Sequence, residues 1–377
     1  MNEKSISVAK LFDGERFYNN CRVTINNGKI LAIEPNVADD QVNYQGLLVP
    51  GYIDLQVNGG GGVLFNSTPT VEGIKAIFAA HNKFGTTAML PTFITDNVDQ
   101  MALAAQAISD AINEGVTGII GVHFEGPHLS VAKKGAHSAE YIRPISEAEW
   151  DILSRKDLGK IIVTIAPETV QANDISRMVS LGIKVCIGHT NADYKTAQRA
   201  VDAGASGFTH LYNAMSALTS REPGVVGCAL LNDHTYSGLI IDGHHVDYTS
   251  CEIALKAKAQ GSVFLVTDAM PPVGTKDNQF AFFDRTVHLH DGKLTSTTGE
   301  LAGSVLDMAT AVKNCHKFAH QSLDEALRMA SLYPANYINE SHHRGRLTVN
   351  HCADMVLLDD NFNVQKTWVG GVQTYTT

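Results

Sequence analysis

From about residue 46 onward, short apolar segments alternate with amphipathic stretches of helical period, and this alternation constrains the fold class. The eight apolar segments are Leu47–Val57, Thr87–Phe93, Ile119–Phe124, Ile161–Ala166, Ile183–Gly188, Ser206–Thr209, Ser237–Ile241 and Val263–Thr267. The helical stretches include Val71–Phe84, Val98–Asn113, Asp174–Leu181, Ala192–Ala203 and Thr249–Gln260. Most of these stretches end at or just before Gly or Asn, as helices commonly do. Eight successive strand and helix units predict an α/β fold, a (β/α)8 TIM-like barrel around a parallel sheet.

The two ends of the chain have a different pattern, with short β-rich segments separated by turn signals such as Asn26-Asn27-Gly28. The β-rich segments are Arg22–Ile25, Lys29–Ile33, Asp354–Leu358 and Thr367–Tyr375. Neither end can bury enough apolar surface alone. We therefore expect one small β-sandwich made from residues 1–46 and 345–377, beside a catalytic barrel of residues 47–344.

An inserted segment after the eighth strand predicts a hairpin, in which Asp291-Gly292 joins Thr286–His290 to Lys293–Thr295. His288 and His290 would share one face of a strand, as they do in a metal-binding H-x-H motif. A hairpin lies outside the barrel rim, so we expect both histidines at the surface.

Four ionisable residues, Glu125, His189, His210 and Asp268, each end a different apolar segment. Parallel barrel strands present such residues at one rim, where active sites of this fold lie. One Glu and two His match a catalytic metal site, which typically has three protein ligands and a water. Asp268 is then suited to take a proton from that water and to deliver it to a leaving group. The pattern indicates a metal-dependent hydrolase.

The charge balance argues against a nucleic-acid partner, because 29 Lys and Arg face 39 Asp and Glu, a net charge of −10. A nucleic-acid surface would require a basic stripe. No apolar run approaches the length of a membrane span, and Met1-Asn2-Glu3-Lys4 does not resemble a secretory signal. We therefore expect no membrane partner and a cytoplasmic location. The six scattered cysteines form no C-x-x-C pair and are predicted to be reduced and mostly buried.

Eight short strings, in order along nearly the whole chain, resemble those of the N-acetylglucosamine-6-phosphate deacetylase family, in the amidohydrolase superfamily. The strings are Asp54–Gly59, Glu125–Pro127, Lys134–His137, Gly188–Ala192, Thr209–Met215, Arg221–Gly224, Asp242–Val246 and Thr267–Ala269. Near the C-terminus, Gly345–Leu347 followed by Ala353-Asp354 also resembles the superfamily pattern.

The resemblance implies the hydrolysis of the acetamide of N-acetyl-D-glucosamine 6-phosphate to D-glucosamine 6-phosphate and acetate, in a cytoplasmic homodimer. It implies metal ligation by Glu125, His189 and His210, and an acid/base role for Asp268. The residues that it implies at the substrate are Ala136 and His137 at the acetamido sugar, Asn213, Ala214, Arg221 and His245 at the phosphate, and Leu301-Ala302-Gly303 closing over the ligand. His137 would help polarise the amide carbonyl, and Arg221 would reach the neighbouring subunit's site.

One departure from the wider superfamily bears on the number of metal ions. Many members hold a second ion with an H-x-H motif on the first strand and a carboxylated Lys on the fourth. Here Gln56-Val57-Asn58 and Ala166-Pro167-Glu168 stand at those positions, and neutral amides are poor ligands. We predict one divalent ion per subunit, with zinc first and iron, cobalt or manganese as alternatives. The sequence leaves the roles of Gln56, Asn58 and His244 open.

Other functions fit the same residues. The galactosamine epimer is a close rival substrate, because Asp242-Gly243-His244-His245 also resembles that sister group. A non-catalytic sugar-phosphate sensor should have lost Asp268 or a metal ligand, and this chain retains them all. A cyclic-amide hydrolase of the superfamily fits poorly, since the ligands of a second metal are missing.

Overall fold

The computed structural model describes residues 4–283, 285–296 and 299–377; the first three residues of the predicted terminal domain and three residues of the predicted insertion lie outside this range. Within the described residues, eight parallel strands follow one another around a barrel. They are Tyr52–Val57, Thr86–Ile94, Gly121–Glu125, Lys160–Ile165, Lys184–Ile187, Gly207–Phe208, Tyr236–Leu239 and Val263–Leu265. The predicted (β/α)8 architecture is confirmed.

The first and eighth strands meet at the rim where the strands end. Asp268 donates its backbone N–H to the carbonyl of Gln56 at 2.9 Å, and Asn58 donates to the carbonyl of Ala269 at 2.9 Å. Below them, the buried carboxylate of Asp54 accepts the Thr267 hydroxyl at 2.5 Å. These bonds bring the residues that follow the first and eighth strands beside one another.

Helices pack around the barrel. Those of the described residues span Val71–Asn82, Val98–Asn113, Glu147–Leu153, Ala172–Ser180, Tyr194–Asp202, Gly224–Leu231, Tyr248–Ala257, Met308–Lys317, Leu323–Ala330 and Leu332–Tyr337. The helix Val98–Asn113 shows why they form where they do: Asn97 caps it by accepting the N–H of Gln100 at 3.0 Å, and its apolar residues, including Met101 and Ile108, are buried on one side. The predicted helices agree with the observed ones to within a few residues.

Strands from both ends of the chain form one sheet beside the barrel. In the described part of the chain this sheet has seven strands, Lys4–Phe12, Phe17–Asn26, Lys29–Glu34, Tyr44–Pro50, Met355–Leu358, Val364–Val369 and Val372–Thr376. The strand Tyr44–Pro50 joins the two halves, because it pairs parallel to the first strand and antiparallel to Met355–Leu358. Side chains from both halves, among them Val8 and Trp368, pack into one core.

The predicted strand Leu47–Val57 is two strands, and the chain passes from the terminal sheet to the barrel at Gly51. A Cβ atom on Gly51 would lie 2.1 Å from the hydroxyl oxygen of Thr87, so only glycine allows the close approach at this point. The terminal sheet therefore extends to Pro50.

A three-stranded antiparallel sheet follows the eighth barrel strand in the described residues, with strands Gln279–Phe282, Arg285–His290 and Lys293–Ser296. It contains the predicted hairpin and one additional strand, and His288 and His290 are exposed as predicted. A second short hairpin pairs Gly59–Gly60 with Val63–Leu64. Within the described ranges, no helix has both the length and the apolarity that crossing a bilayer requires.

Candidate metal centre and active site

Three side chains from separate barrel strands converge at the rim. Glu125 is the last residue of the third strand, and His189 and His210 lie two residues past the fifth and sixth strands. Oε1 of Glu125 is 3.2 Å from Nε2 of His189 and 2.9 Å from Nε2 of His210, and the two Nε2 atoms are 3.0 Å apart. All three residues are buried.

This group fits a divalent metal ion. A tetrahedral ion with ligand bonds of about 2.0–2.1 Å separates its ligands by about 3.3 Å, close to the distances here. Nδ1 of His189 donates to the carbonyl of Lys133 at 3.0 Å, which orients the ring so that Nε2 faces the other two groups. The Nδ1 atom of His210 is buried without a hydrogen-bond partner among the described residues.

The backbone at three site residues is left-handed, with φ of 47° at His189, 33° at His210 and 52° at Asp268. Side chains other than glycine rarely adopt this conformation, and it costs of order 1–3 kcal/mol per residue. Such strain persists where the surrounding structure fixes it, and here it directs all three side chains into one cavity.

The electrostatics of the group favour a cation. Burial alone would raise the pKa of Glu125, but the hydrogen bonds with His189 and His210 hold it well below its ordinary value. Burial alone would likewise lower the pKa of His210, but the Glu125 carboxylate raises it. Glu125 is therefore ionised, and a buried negative charge lies between two imidazole nitrogens.

Asp268 faces this group from the rim after the eighth strand. Its Oδ1 accepts from the side-chain amides of Asn58 at 2.6 Å and Gln56 at 3.1 Å, and the Gln56 amide also donates to Glu125 at 3.2 Å. Burial, and next the charge of Glu125, raise the pKa of Asp268. A raised pKa makes the carboxylate a better proton acceptor than an exposed aspartate.

His137 lies beside the metal group, with its ring centroid 4.3 Å from that of His189. Its Nδ1 is 2.8 Å from the hydroxyl oxygen of Thr95, which also lies 3.3 Å from the carbonyl oxygen of Glu125. Burial, and next the charge of His189, hold the pKa of His137 well below its ordinary value. The ring is therefore neutral, and Thr95 contacts one of its two nitrogens.

The three residues of the metal group, Asp268 and His137 line one cavity of about 320 Å³. The residues that sequence comparison placed at the substrate and that line this cavity are Ala136, His137, Asn213, Ala214, His245, Leu301, Ala302 and Gly303. Nδ1 of His245 is 2.7 Å from a carboxylate oxygen of Asp242, which fixes the ring at the cavity wall. The structure of one chain thus brings most of the predicted site together.

Arg221 is the predicted site residue that lies outside the cavity lining, and it is exposed in the loop before the helix Gly224–Leu231. Lys133, which the family resemblance does not place at the substrate, also lines the cavity. Sequence reasoning missed Thr95, Ile94, Met270 and Phe282. The sequence signal that could have placed them at the site was their position along the chain. Ile94 and Thr95 lie at the end of the second strand, and Met270 lies two residues after Asp268.

Comparisons with known proteins agree with this geometry. The model of the amidohydrolase family matches residues 47–374. The chain is 45% identical to the N-acetylgalactosamine-6-phosphate deacetylase of Shewanella sp. (strain ANA-3), over 97% of this chain and 95% of that protein. It is 36% identical to the N-acetylglucosamine-6-phosphate deacetylase of Haemophilus influenzae, over 86% and 85%. The crystal structure of N-acetylglucosamine-6-phosphate deacetylase from Pasteurella multocida matches with a TM-score of 0.94 at 36% identity, covering 99% of this chain and 100% of that one.

Proposed function

The chain belongs to the amidohydrolase family, and from that premise we propose that it hydrolyses the N-acetyl group of N-acetyl-D-glucosamine 6-phosphate to D-glucosamine 6-phosphate and acetate. The observation that carries the proposal is the convergence of Glu125, His189 and His210 in one cavity with the proton-accepting group Asp268. A non-catalytic sugar-phosphate sensor would have no need of both a metal site and a proton-accepting group.

Glu125, His189 and His210 would hold one divalent ion. We propose zinc as that ion. Iron, cobalt and manganese are the alternatives, because the same donors suit them too. When bound, such an ion lowers the pKa of a coordinated water and polarises a carbonyl group. A second ion is not supported by the residues present. The amides of Gln56 and Asn58 already donate to carboxylates.

Glu168, at the position of the superfamily's second-metal lysine, is likewise committed to other bonds. Its carboxylate accepts the hydroxyl of Thr190 at 2.5 Å and the backbone N–H of Asn191 at 2.7 Å. With both oxygens occupied in this way, Glu168 supports the loop after the fifth strand. Gln56, Asn58 and Glu168, which stand at the positions of the usual second-metal ligands, are all engaged in other hydrogen bonds. We therefore propose one ion per subunit.

Asp268 would move the proton. Its Oδ1 is held by Asn58 and Gln56, so Oδ2 is the oxygen that would accept a proton from the attacking water. The same carboxyl group then delivers that proton to the amine nitrogen as the C–N bond breaks, which releases acetate and the amino sugar. Neutral His137 would donate from Nε2 to the acetamide carbonyl and help to stabilise its developing negative charge.

The phosphate would lie at the polar end of the cavity. Lys133, Asn213 and His245 line it, and Lys133 and Asn213 can donate to phosphate oxygens. His245, whose Nδ1 donates to Asp242, would donate from Nε2 as an imidazolium. Ala214 would contribute its backbone there, and Arg221 would complete the charge by reaching the neighbouring subunit of a homodimer. Exposure of Arg221 in one chain is compatible with that arrangement. We place the reaction in the cytoplasm, which agrees with the six cysteines being free thiols within the described residues.

A second candidate substrate is N-acetyl-D-galactosamine 6-phosphate. The observation that favours it is the 45% identity to the Shewanella deacetylase of that name, against 36% for the Haemophilus deacetylase of the glucosamine epimer. The two sugars differ only in the orientation of one hydroxyl group, so the same metal site and Asp268 serve either. The choice depends on contacts to that hydroxyl.

Acetate release by the purified protein, loaded with zinc, tests the proposal on both sugar phosphates. We expect rapid release from at least one of them, and kcat/KM decides between the epimers. The matched control is Asp268→Asn, which keeps the shape of the side chain and removes its proton chemistry. No release from either sugar phosphate by the metal-loaded protein would overturn the proposed function and leave the sensor alternative.

A further inference from the structure

The lining of the active-site cavity is divided into a polar side and an apolar side. The apolar side contains Ile94, Met270 and Phe282, which are 4%, 2% and 2% exposed. These three side chains belong to one packed hydrophobic cluster with Leu64, Val287, Leu294 and Ala302. Because the cluster fills the space behind them, they form a solid surface that faces the cavity. We call Ile94, Met270 and Phe282 the apolar wall.

The apolar wall lies on one particular sector of the barrel. Ile94 ends the second strand and is paired in register with the metal ligand Glu125 of the third strand. Met270 lies two residues after Asp268, at the rim of the eighth strand. The first barrel strand lies between the second and the eighth. Asn58, which follows the first strand, also lines the cavity.

The polar side lies on a different sector of the rim. Asn213 and His245 follow the sixth and seventh strands. Lys133 is held beside the fifth strand, because its carbonyl accepts the hydrogen bond from His189. The reacting centre adjoins the apolar wall, because Glu125 is the register partner of Ile94 and Asp268 lies two residues before Met270. A ligand whose reacting carbon is held there therefore meets apolar side chains on one sector of the rim and hydrogen-bond donors on the other.

The substrate of the proposed reaction has the same division, since its acetyl methyl is an apolar end and its phosphate is a charged end. We propose that the apolar wall receives the methyl group of the acyl chain and limits its length, so that the enzyme selects acetamides over longer amides. This inference rests on the proposed function and adds the residues that set acyl selectivity. Burial of the methyl group against the wall is favourable, whereas phosphate there would lose its solvation without a partner.

The wall has little freedom to move away from a longer acyl chain. Gly303 has a left-handed backbone with φ of +65°, and a Cβ atom there would lie 2.4 Å from Cγ of Met270. Met270 thus packs directly on the Gly303 backbone. Phe282 lies in the outer three-stranded sheet, whose residues Val287 and Leu294 are buried behind it. One extra methylene in such a pocket changes kcat/KM by about 10- to 200-fold.

The experiment compares N-acetyl, N-propanoyl and N-butanoyl derivatives of whichever amino-sugar 6-phosphate the wild-type protein prefers. For the wild type we expect kcat/KM to fall at least about tenfold at the first added methylene. Met270→Ala removes most of one wall residue and should reduce this discrimination at least about tenfold, with metal content unchanged. Ile94→Val, a smaller change, provides a second variant should Met270→Ala fold poorly, and should shift the ratio in the same direction.

Leu289→Ala is the matched control. Leu289 packs against the same hydrophobic cluster but lies outside the cavity lining, so its truncation loosens the cluster without enlarging the pocket. The control should keep the wild-type ratio between acetyl and propanoyl substrates even where its melting temperature falls. Equal acyl ratios in wild type, Met270→Ala and Ile94→Val would overturn the inference, as would an equal change in Leu289→Ala. Failure of the proposed function is distinct, because the wild type would then release no acetate.

Discussion

Asn58 donates its side-chain amide to Oδ1 of Asp268 at 2.6 Å, across the point where the first and eighth barrel strands meet. The bond fixes one oxygen of a carboxylate that lines the cavity. Asn58 stands where many amidohydrolases have the second histidine of a metal-binding pair. In this protein the position donates to the carboxylate for which we propose the proton-transfer role.

Replacing Asn58 with Ala should therefore impair catalysis more than metal binding. A hydrogen bond to a charged group contributes about 1.5–3 kcal/mol, so we expect kcat to fall about tenfold to a hundredfold. Metal content, measured by elemental analysis, should stay at the wild-type level. A variant that lost its metal in proportion to its activity would assign Asn58 to the metal site.

Replacing Asp268 with Asn removes the group that carries the proton in both halves of the proposed reaction. General acid and base catalysis contributes about 10²- to 10⁴-fold to a single step, and we expect at least that loss in kcat. The three metal ligands are untouched, so one ion per chain should remain bound. Acetate release at the wild-type rate by metal-loaded Asp268→Asn would refute the assignment.

Thr95 should set the tautomer of His137. Its one hydroxyl proton has two possible acceptors, Nδ1 of His137 at 2.8 Å and the carbonyl oxygen of Glu125 at 3.3 Å. The role proposed for His137 requires that the proton go to the nearer Nδ1, which leaves the ring proton on Nε2, where it can reach the substrate carbonyl. Thr95→Val preserves the shape and removes the donor, so we expect kcat to fall about tenfold, with a smaller change in KM. Thr95→Ser keeps the hydroxyl and should keep most of the activity.

The nitrogen chemical shifts of His137, measured by NMR, provide a readout that a purely structural role of Thr95 would not move. They should show the ring proton on Nε2 in the wild type and in Thr95→Ser, and a mixture of tautomers in Thr95→Val. Identical shifts and rates in all three proteins would rule out a role for Thr95 in setting the tautomer.

His81 should make stability depend on pH. Burial lowers the pKa of this histidine from 6.5 to about 4, and its Nε2 donates to the carbonyl of Gly59 at 2.9 Å. Because the folded-state pKa is depressed, the contribution to stability is fully present above pH 6.5. It is lost as pH falls towards 4, since the unfolded chain then binds a proton that the folded chain does not.

Between pH 7 and pH 5 this linkage amounts to about 2 kcal/mol. Urea unfolding at the two pH values should show a decrease in the free energy of unfolding that is larger by this amount in the wild type than in His81→Gln. The other histidines are common to both proteins and cancel in the comparison. An equal decrease in both would mean that His81 is not held in its neutral form.

The order of strands and helices could be predicted because each element carries its own periodicity and punctuation. The helix Val98–Asn113 has a capping Asn and one apolar side, and the observed bounds equal the predicted ones. The division of the strand at Gly51 could not be predicted, because it depends on the approach of Thr87 from another strand. The strand Gln279–Phe282 was missed for a similar reason, since pairing with its neighbour defines it.

The metal group could be predicted because Glu and His at strand ends are chemically conspicuous, and barrel geometry brings such ends together. The supporting residues carry no such signal. A threonine such as Thr95 or a methionine such as Met270 is ordinary in a buried strand or rim, and its role depends on which side chain lies opposite. Whether Arg221 completes a neighbouring site depends on a second chain, which the pattern of one sequence does not specify.

The proposed reaction requires one divalent ion held by Glu125, His189 and His210. The direct measurement is a titration of the metal-free protein with zinc, in which acetate release is followed against ions added per chain. We expect activity to be absent without metal, to rise in proportion to added zinc and to reach its maximum at one ion per chain, and we expect no such rise in His210→Asn. Full activity in the metal-free protein, or a maximum reached only at two ions per chain, would contradict this requirement.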